Sequence, residues 1–338
     1  MTRSFGAAIL GCAGPVLAPA EAAFFRDYQP FGFILFARNV ETRDQVTALC
    51  ADLRAAVGWD APILIDQEGG RVQRLRAPLA REWVPPLDEV ARHGPRAARA
   101  MVLRSRLIAR DMRALGIDTI CAPLIDVARP DTHAVLRNRC YSDDPNMVAG
   151  MALAVAEGLC AGGALPVVKH LPGLGRAGLD SHLELPQTEA TLEDLHAVDF
   201  RPVQQVAGLP LAMTAHVVYE CLDDLPATQS PRILNMLRQT LGVTGLLMTD
   251  DISMEALSGT VAERGLCALN AGCDVVLHCN GDLPEMRSIA MAIGQMSPRA
   301  QTRAEAALEQ RPKPDLSDAA PLIAEWEALE RVALAHSG

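Results

Sequence analysis

The chain has 338 residues, a length that suits one α/β barrel with extensions. With 49% hydrophobic and 21% charged residues it can bury a large core, which excludes wholesale disorder. The net charge of −10, uninterrupted by any long lysine or arginine block, argues against nucleic acid or an anionic membrane as partner and favours a small polar ligand.

The N-terminal segment MTRSFGAAILGCAGPVLAPAEAAFF has an early arginine and an apolar run, as an export signal does. Because that run is short, glycine-rich and needed as a strand, we expect the segment to be retained. Elsewhere no stretch approaches the ~20 apolar residues of a membrane-spanning helix.

The nine cysteines form no C-x-x-C pair, so we expect reduced core thiols in a cytoplasmic protein.

Eight short apolar runs recur along the chain, separated by longer segments with a polar face. In chain order they are GAAILG, GFILF, PILID, DTICA, PVVKH, LAMTAH, GLLMTD and CDVVLH. Near-continuous hydrophobicity is typical of parallel strands that are buried on both faces. Eight such strands alternating with helices predict a (β/α)8 TIM barrel, with a doubly wound open sheet as the alternative.

Helical periodicity fills the intervals between the runs. Ser230 and Asp144 each precede a proline, the pattern of an N-cap followed by proline in the first turn. After about Met296 we expect no further strand, only two helical segments separated by EQRPKPDLSDAAPL. We therefore predict a catalytic barrel over residues 1–295 and a C-terminal helical cap of the same domain over 296–338. The predicted helices span 41–57, 95–115, 145–162, 191–206, 231–241 and 260–271.

Polar residues follow the C-terminal ends of most predicted strands, where barrels of this kind carry their active sites. If they converge on one rim, they form a concave site for a ligand with many hydroxyl groups. They are Arg38 and Asn39 after strand two, DQEGGRVQR after strand three, Lys169 and His170 at strand five, His216 after six, Asp250 and Asp251 at seven, and His278 and Asn280 at eight.

Two adjacent acids end the seventh predicted strand. We expect Asp251 to cap the helix that follows. Asp250 would point toward the barrel axis, where a carboxylate can act as nucleophile or electrostatic partner, although a structural role is also consistent with the sequence.

The segment KHLPGLGRAGLDSHLELP predicts a long loop that can swing over the rim after strand five. Asp180 and His182 are two positions apart, so in an extended segment both side chains face the same side. The carboxylate can then hold the imidazole as a general acid and base. A surface ion pair is the alternative.

Four further side chains at the strand ends are candidates for binding a ligand. Lys169 and His170 form either a buried ion pair that supports the rim or two donors for substrate hydroxyls. Asp66 can accept hydrogen bonds from hydroxyls and Arg74 can donate them, while Gly69-Gly70 allows either close backbone approach to a ligand or a tight turn.

A metal site built from the histidines and Asp250 is a rival hypothesis. No H-x-H, H-E-x-x-H or C-x-x-C motif occurs, and the lysine next to His170 would repel a cation. No Walker loop occurs either. We therefore expect neither a metal nor another cofactor.

Taken together, these motifs resemble family 3 of the glycoside hydrolases, specifically the single-domain bacterial β-N-acetylglucosaminidases of cell-wall recycling. The likeness runs from about Gly32 to Asn280. One departure is Leu174, which stands where the family usually has the histidine of P-G-H-G. The motifs are GFILFARN, IDQEGGRVQRL, KHLPGLG, DSH, MTAHVVY, PATQSP, LLMTDDISMEAL and AGCDVVLHCN.

The resemblance implies that Asp250 is the nucleophile and that His182 with Asp180 is the acid/base dyad. It also implies hydrolysis with retention, releasing terminal N-acetylglucosamine from 1,6-anhydromuramyl peptides, by a cytoplasmic monomer or weak homodimer. The alternatives are a phosphorylase, a lyase or aldolase using Lys169, and a sugar-binding barrel with little turnover. The residues that the resemblance assigns to the terminal sugar are Asp66, Arg74, Arg139, Lys169 and His170.

Overall fold

A computed structural model describes residues 3–179 and 184–336, in which eight parallel strands close into a barrel. Each strand pairs with the next along the chain, and the eighth pairs with the first through Leu10 and His278. The predicted (β/α)8 TIM barrel is confirmed, and the open-sheet alternative is wrong. The strands are β1 (Gly6–Leu10), β2 (Pro30–Leu35), β3 (Ile63–Ile65), β4 (Thr119–Ile120), β5 (Leu165–Leu171), β6 (Leu211–Thr214), β7 (Leu246–Asp251) and β8 (Val275–His278).

The strands have the burial that their composition predicts. Every residue of seven strands is buried, because side chains on one face fill the barrel and those on the other pack against the helices. β7 is the exception: its last two residues, Asp250 and Asp251, are half-buried. The one strand end that reaches solvent therefore carries the two acids.

Thirteen α-helices surround the barrel in the described ranges. The predicted N-caps are confirmed: Ile233 N–H donates to Ser230 Oγ at 3.1 Å, and Asn146 N–H donates to Asp144 Oδ1 at 2.9 Å. The helices are α1 (Pro19–Tyr28), α2 (Arg43–Val57), α3 (Pro86–His93), α4 (Ala97–Arg113), α5 (Ala134–Arg137), α6 (Pro145–Gly162), α7 (Leu192–Ala197), α8 (Phe200–Val206), α9 (Pro231–Gln239), α10 (Val261–Ala271), α11 (Leu283–Ile293), α12 (Pro298–Glu309) and α13 (Ala320–His336).

The prediction of one continuous helix over 191–206 is wrong. The chain breaks between α7 and α8, where Val198 has a non-helical conformation. The next residue, Asp199, is buried and accepts a hydrogen bond from Arg176 Nε at 2.7 Å. Pro202, in the first turn of α8, has no N–H for the carbonyl of Val198 and its ring clashes with that group, so one helix cannot continue through this point.

Two helices, α12 and α13, follow Met296, as the sequence predicts. α13 packs on the outer layer through Trp326, whose ring centroid lies 5.1 Å from that of Trp83. Asp315, between the two helices, accepts a hydrogen bond from Arg106 Nε of α4 at 2.8 Å. The boundary between a barrel and a helical cap at 295/296 stays a prediction.

Of the helices described, none combines the length and apolar character needed to cross a membrane.

All nine cysteines lie in the described ranges and are free thiols. Six are buried, but Cys160, Cys221 and Cys267 are exposed, so the expectation of core thiols is wrong for these three.

Candidate active site

A cavity of about 220 Å³ opens where the barrel strands end at their C-termini. Its wall combines charged side chains from β5, β7 and the segments that follow β3 and β4 with apolar ones from β2, β6 and β8. The lining residues are Ile34, Phe36, Asp66, Arg71, Val72, Arg74, Arg139, Lys169, His170, Leu174, Met213, Asp250, Asp251, Met254, Leu277 and Cys279.

Neighbouring residues on one strand normally point to opposite faces, yet both Lys169 and His170 line this cavity, as do both Asp250 and Asp251. In each case the hydrogen-bonding register shifts at that point. The β5–β6 ladder shifts between Val168 and Leu171, and the β7–β8 ladder shifts before Asp251. Such irregularities re-aim side chains, so two adjacent polar residues of each strand reach one site.

Asp66 is the first acid after β3, and it lies between two cations. Its Oδ1 is 2.7 Å from Lys169 Nζ, and its Oδ2 is 2.8 Å from Arg74 Nη2. Burial alone would raise the pKa of Asp66, but Lys169 and Arg74 hold it well below its ordinary value. Asp66 is therefore an ionised acceptor. Arg74 is also held over the ring of Phe36, 5.1 Å from its centroid.

Glu68 forms a second ion cluster directly behind the first. Arg139 binds it with two hydrogen bonds, Nε to Oε2 at 2.9 Å and Nη2 to Oε1 at 2.8 Å, and Lys169 Nζ lies 2.6 Å from Oε1. Although burial opposes the shift, Arg139 and Lys169 lower the pKa of Glu68 to about 2. One ammonium thus joins two carboxylates, and Arg139 is fixed by a bidentate pair.

Lys169 is a permanent cation in this setting. Burial alone would lower its pKa, but the carboxylates of Asp66 and Glu68 raise it above the ordinary value. A Schiff-base lysine must be neutral to attack a carbonyl. The lyase or aldolase hypothesis therefore has no support in this geometry.

His170 is oriented by Asp126, a buried acid in the loop after β4. His170 Nδ1 lies 2.7 Å from Asp126 Oδ2, and because an ionised carboxylate only accepts, Nδ1 carries the proton. Asp126 Oδ1 also accepts the N–H of Leu174 at 2.6 Å. A single carboxylate therefore holds both the end of β5 and the first turn of the loop that follows.

Asp250 and Asp251 both lie on the cavity wall, and neither has an ion-pair partner in the part of the chain that the structure describes. Asp250 Oδ1 accepts a hydrogen bond from the N–H of Asp251 at 2.8 Å. Burial alone would raise the pKa of Asp250, but the imidazoles of His170 and His216 and the Asp251 N–H lower it. The carboxylate is consequently ionised and unpaired, as a nucleophile requires.

The expectation that Asp251 caps the next helix is wrong. That helix, α10, begins ten residues later and is capped by Thr260, whose side chain accepts from the N–H of Glu263. Asp251 instead accepts from Ser253 N–H at 3.0 Å and from Cys279 N–H at 3.1 Å. It stabilises the turn after β7 and ties that turn to the end of β8.

The root of the loop after β5 is firmly packed as far as the structure describes it. Gly175 is buried, with room for no side chain: a Cβ would lie 2.0 Å from Val127 O. The hydroxyl of Tyr219 donates to Gly173 O. Residues 173–178 have the spacing G-x-G-x-x-G, but no helix begins there, so the segment is not a dinucleotide-binding turn. The predicted dyad of Asp180 and His182 lies outside the described residues.

Several predicted rim residues do not reach the cavity. His278 Nε2 lies 3.0 Å from Glu285 Oε2, and Asn280 Nδ2 contacts the same oxygen, so both face α11. Arg38 donates to the backbone carbonyl oxygens of Cys12 and Cys279, and Asn39 to those of Cys12 and Gly14. His216 is buried beside β7. These side chains support the rim, whereas Asp66, Arg74, Arg139, Lys169, His170 and Asp250 line one cavity.

Two functional side chains, Glu68 and Asp126, were not singled out from the sequence. Glu68 stands two positions after Asp66, so an extended segment would have placed both on one side. For Asp126 the sequence carries no such signal, because its partner His170 is 44 positions away.

One cluster has the spacing of metal ligands among the residues described: Glu89, His93 and Glu330. None of the three lines the cavity. Arg92 Nη2 lies 2.7 Å from Glu89 Oε2 and 2.9 Å from Glu330 Oε1, so a guanidinium already neutralises both carboxylates. The cluster is an ion-pair network that ties α13 to α3.

A closed (β/α)8 barrel with paired and unpaired carboxylates at its C-terminal rim defines an enzyme acting on a polar ligand. Comparison with known proteins identifies the group. The family model described as the glycosyl hydrolase family 3 N-terminal domain matches residues 17–310. The chain therefore belongs to family 3 of the glycoside hydrolases, which confirms the resemblance and the expected enzyme class.

Curated relatives and solved structures agree with this assignment. The β-hexosaminidase of Stenotrophomonas maltophilia is 38% identical over 284 residues, covering 81% of this chain and 84% of the relative. That of Bordetella avium is 38% identical over 283 residues, covering 81% of each. Native NagZ from Neisseria gonorrhoeae has a TM-score of 0.84 at 29% identity, with 97% of this chain and 96% of that chain covered. A family 3 β-N-acetylglucosaminidase from Paenibacillus sp. has a TM-score of 0.86 at 26% identity, covering 96% of this chain and 66% of that one.

Proposed function

We propose that the protein is a retaining exo-β-N-acetylglucosaminidase. Its substrates are 1,6-anhydromuramyl cell-wall fragments, with or without peptide, from which it removes the terminal N-acetylglucosamine in the cytoplasm. It acts as a monomer or weak homodimer without a cofactor. Free cysteines throughout the chain support a reducing compartment.

One observation carries the proposal: the ionised carboxylate of Asp250 shares a cavity with fixed hydrogen-bonding groups for a sugar. Asp66 is the acceptor for hydroxyls, while Arg74 and Lys169 are donors held in place by it. His170 has its ring orientation set by Asp126. Such a wall binds one polar, multi-hydroxyl ring in a defined pose beside the carboxylate.

The reaction has two displacement steps. In the first, an Asp250 oxygen bonds to the anomeric carbon as the bond to the leaving oxygen breaks, and the His182 imidazolium gives that oxygen a proton. In the second, His182 takes a proton from water, the water oxygen bonds to the anomeric carbon, and Asp250 is released. Asp180 holds the imidazole in the required orientation.

A histidine acid also suits the substrate class. The leaving group, an anhydromuramyl unit, carries a carboxylate. An imidazole is neutral or cationic and does not repel that charge, whereas a carboxylic acid/base would become a second anion beside it.

The test compares Asp250→Asn with Glu255→Gln, which removes an exposed acid from the same turn. With an aryl β-N-acetylglucosaminide, Asp250→Asn should lose at least ~10³-fold in kcat, because the nucleophile is gone. Glu255→Gln should match wild type. NMR of the wild-type reaction should show β-N-acetylglucosamine first. Near-normal turnover by Asp250→Asn would contradict the proposal, and a sugar 1-phosphate formed in proportion to phosphate would identify a phosphorylase.

A further inference from the structure

His216 is a fully buried histidine beside the strand end that carries Asp250. It follows β6 and lines no part of the cavity. Its Nε2 lies 3.0 Å from the backbone oxygen of Asp251, and its Nδ1 lies 2.8 Å from Thr228 Oγ1. Both ring nitrogens therefore have partners, as a buried polar side chain requires.

The partners determine where the ring proton lies. A backbone carbonyl only accepts hydrogen bonds, so Nε2 must carry a hydrogen. Burial lowers the pKa of His216 below its ordinary value, and the ring is therefore neutral, which leaves Nδ1 as an acceptor. Thr228 Oγ1 lies 2.8 Å from Nδ1 and 2.9 Å from the backbone oxygen of Ala215, so its one hydrogen has two acceptors within reach. Next to a neutral ring it donates to Nδ1, because two lone pairs facing each other at 2.8 Å would repel, and its own oxygen can accept from Thr214 Oγ1, 2.8 Å away.

This chain of hydrogen bonds ends at the backbone of Asp251, the residue after Asp250. The carbonyl of Asp251 accepts from His216, and the N–H of the same residue donates to Asp250 Oδ1. The backbone of Asp251 is therefore held on one side and orients the Asp250 carboxylate on the other. A protonated His216 would add a positive charge beside that carboxylate and weaken it as a nucleophile.

We propose that His216 is a positioning residue for Asp250, held as the neutral Nε2–H tautomer by Thr228 and Thr214. It acts on the reaction through the Asp251 backbone and touches no substrate. This inference rests on the proposed role of Asp250. Its consequence is specific: the donor at the Nε2 position matters for kcat, whereas sugar binding does not depend on it.

Steady-state kinetics of matched variants test whether the donor at the Nε2 position affects kcat and leaves KM unchanged. Glutamine can place an amide N–H near the position of Nε2, whereas asparagine reaches only as far as Nδ1. His216→Asn should lower kcat by ~10- to 100-fold, the scale of one lost orienting hydrogen bond, with KM within about threefold of wild type. His216→Gln should recover most of the loss. Thr228→Val should lower kcat in the same way and Thr228→Ser should not.

His278→Gln is the control for general damage. It replaces a buried histidine at the end of the next strand, whose partner is Glu285. Its melting temperature should fall about as far as that of His216→Asn while its kcat stays at the wild-type value. If kcat follows melting temperature across all five variants, or if His216→Asn keeps wild-type kcat, the positioning role is refuted.

A measurement that needs no turnover separates this inference from the proposed function. Long-range ¹H–¹⁵N NMR of histidine-labelled protein, with His216 assigned from its absence in His216→Gln, should show the neutral Nε2–H tautomer near neutral pH. An Nδ1–H tautomer or an imidazolium would overturn the hydrogen-bond assignment. If wild type hydrolyses no β-N-acetylglucosaminide, the proposed function fails even where the tautomer is as expected.

Discussion

The ammonium of Lys169 lies 2.6 Å from Glu68 Oε1, in a place that solvent scarcely reaches. Glu68 itself touches no open part of the cavity wall, so its role is to hold Lys169 and Arg139 in position. Asp66 supplies the second carboxylate that contacts the ammonium of Lys169. The cations that we propose to bind the sugar are therefore fixed before any ligand arrives, which reduces the entropy that binding must overcome.

Removing the Glu68 charge should destabilise the fold. Glu68→Gln removes the carboxylate that pairs with Arg139 and Lys169. Breaking a buried ion pair lowers the free energy of unfolding by about 3–5 kcal/mol. The matched control is Glu82→Gln, because Glu82 pairs with Arg76 at an exposed site, 3.0 Å apart. Glu82→Gln should lower the free energy of unfolding by less than about 1 kcal/mol. Urea unfolding of the two variants measures the difference, and equal losses would contradict the account of this cluster.

The same carboxylate predicts a pH dependence of stability. Burial opposes ionisation, but Arg139 and Lys169 lower the pKa of Glu68 to about 2, below its ordinary value of 4.5. The unfolded chain therefore takes up this proton first as pH falls, so the stabilisation is complete above about pH 5 and is lost toward about pH 2. The gap in unfolding free energy between wild type and Glu68→Gln should shrink over that interval. A gap that keeps its neutral value down to about pH 3 would show that the shift is absent.

Two glycines of the loop after β5 should respond differently to alanine. Gly175 packs so tightly that a Cβ would lie 2.0 Å from Val127 O, whereas at Gly178 the nearest atom is 4.0 Å away. Gly175→Ala must displace the loop root that leads to Asp180 and His182, and overpacking costs about 1–3 kcal/mol. We expect kcat/KM to fall by about 10-fold or more, since the acid would be misplaced. Gly178→Ala should stay near wild type, and equal activities would contradict the role of the root.

Much of the fold was predictable because strands that are buried on both faces of a parallel sheet have continuous apolar sequences. Four helices were not predicted: α1, α3, α5 and α11. α1, PAEAAFFRDY, adjoins an apolar N-terminal stretch that hides its periodicity, and α3 is only eight residues long. Helix 191–206 was predicted too long because Pro202, a local signal for a helix break, was not taken into account.

The candidate site was predictable where local periodicity applies and not elsewhere. His278 faces outward between Leu277 and Cys279, which both line the cavity, so strict alternation would have excluded it. Lys169 with His170 and Asp250 with Asp251 break alternation at register shifts, which no pattern in the sequence marks. Their positions at strand ends had already marked all four as candidates, and the resemblance to a family added roles for Lys169, His170 and Asp250.

The most direct test of the central claim is covalent trapping of the glycosyl-enzyme. A fluorinated N-acetylglucosamine analogue with a good leaving group slows the second displacement more than the first and allows the intermediate to accumulate. Mass spectrometry of the digested protein should locate one sugar on the peptide that contains Asp250, and none should appear in Asp250→Asn. A sugar attached to any other residue, or α-N-acetylglucosamine as the first product of the wild-type reaction, would contradict the account.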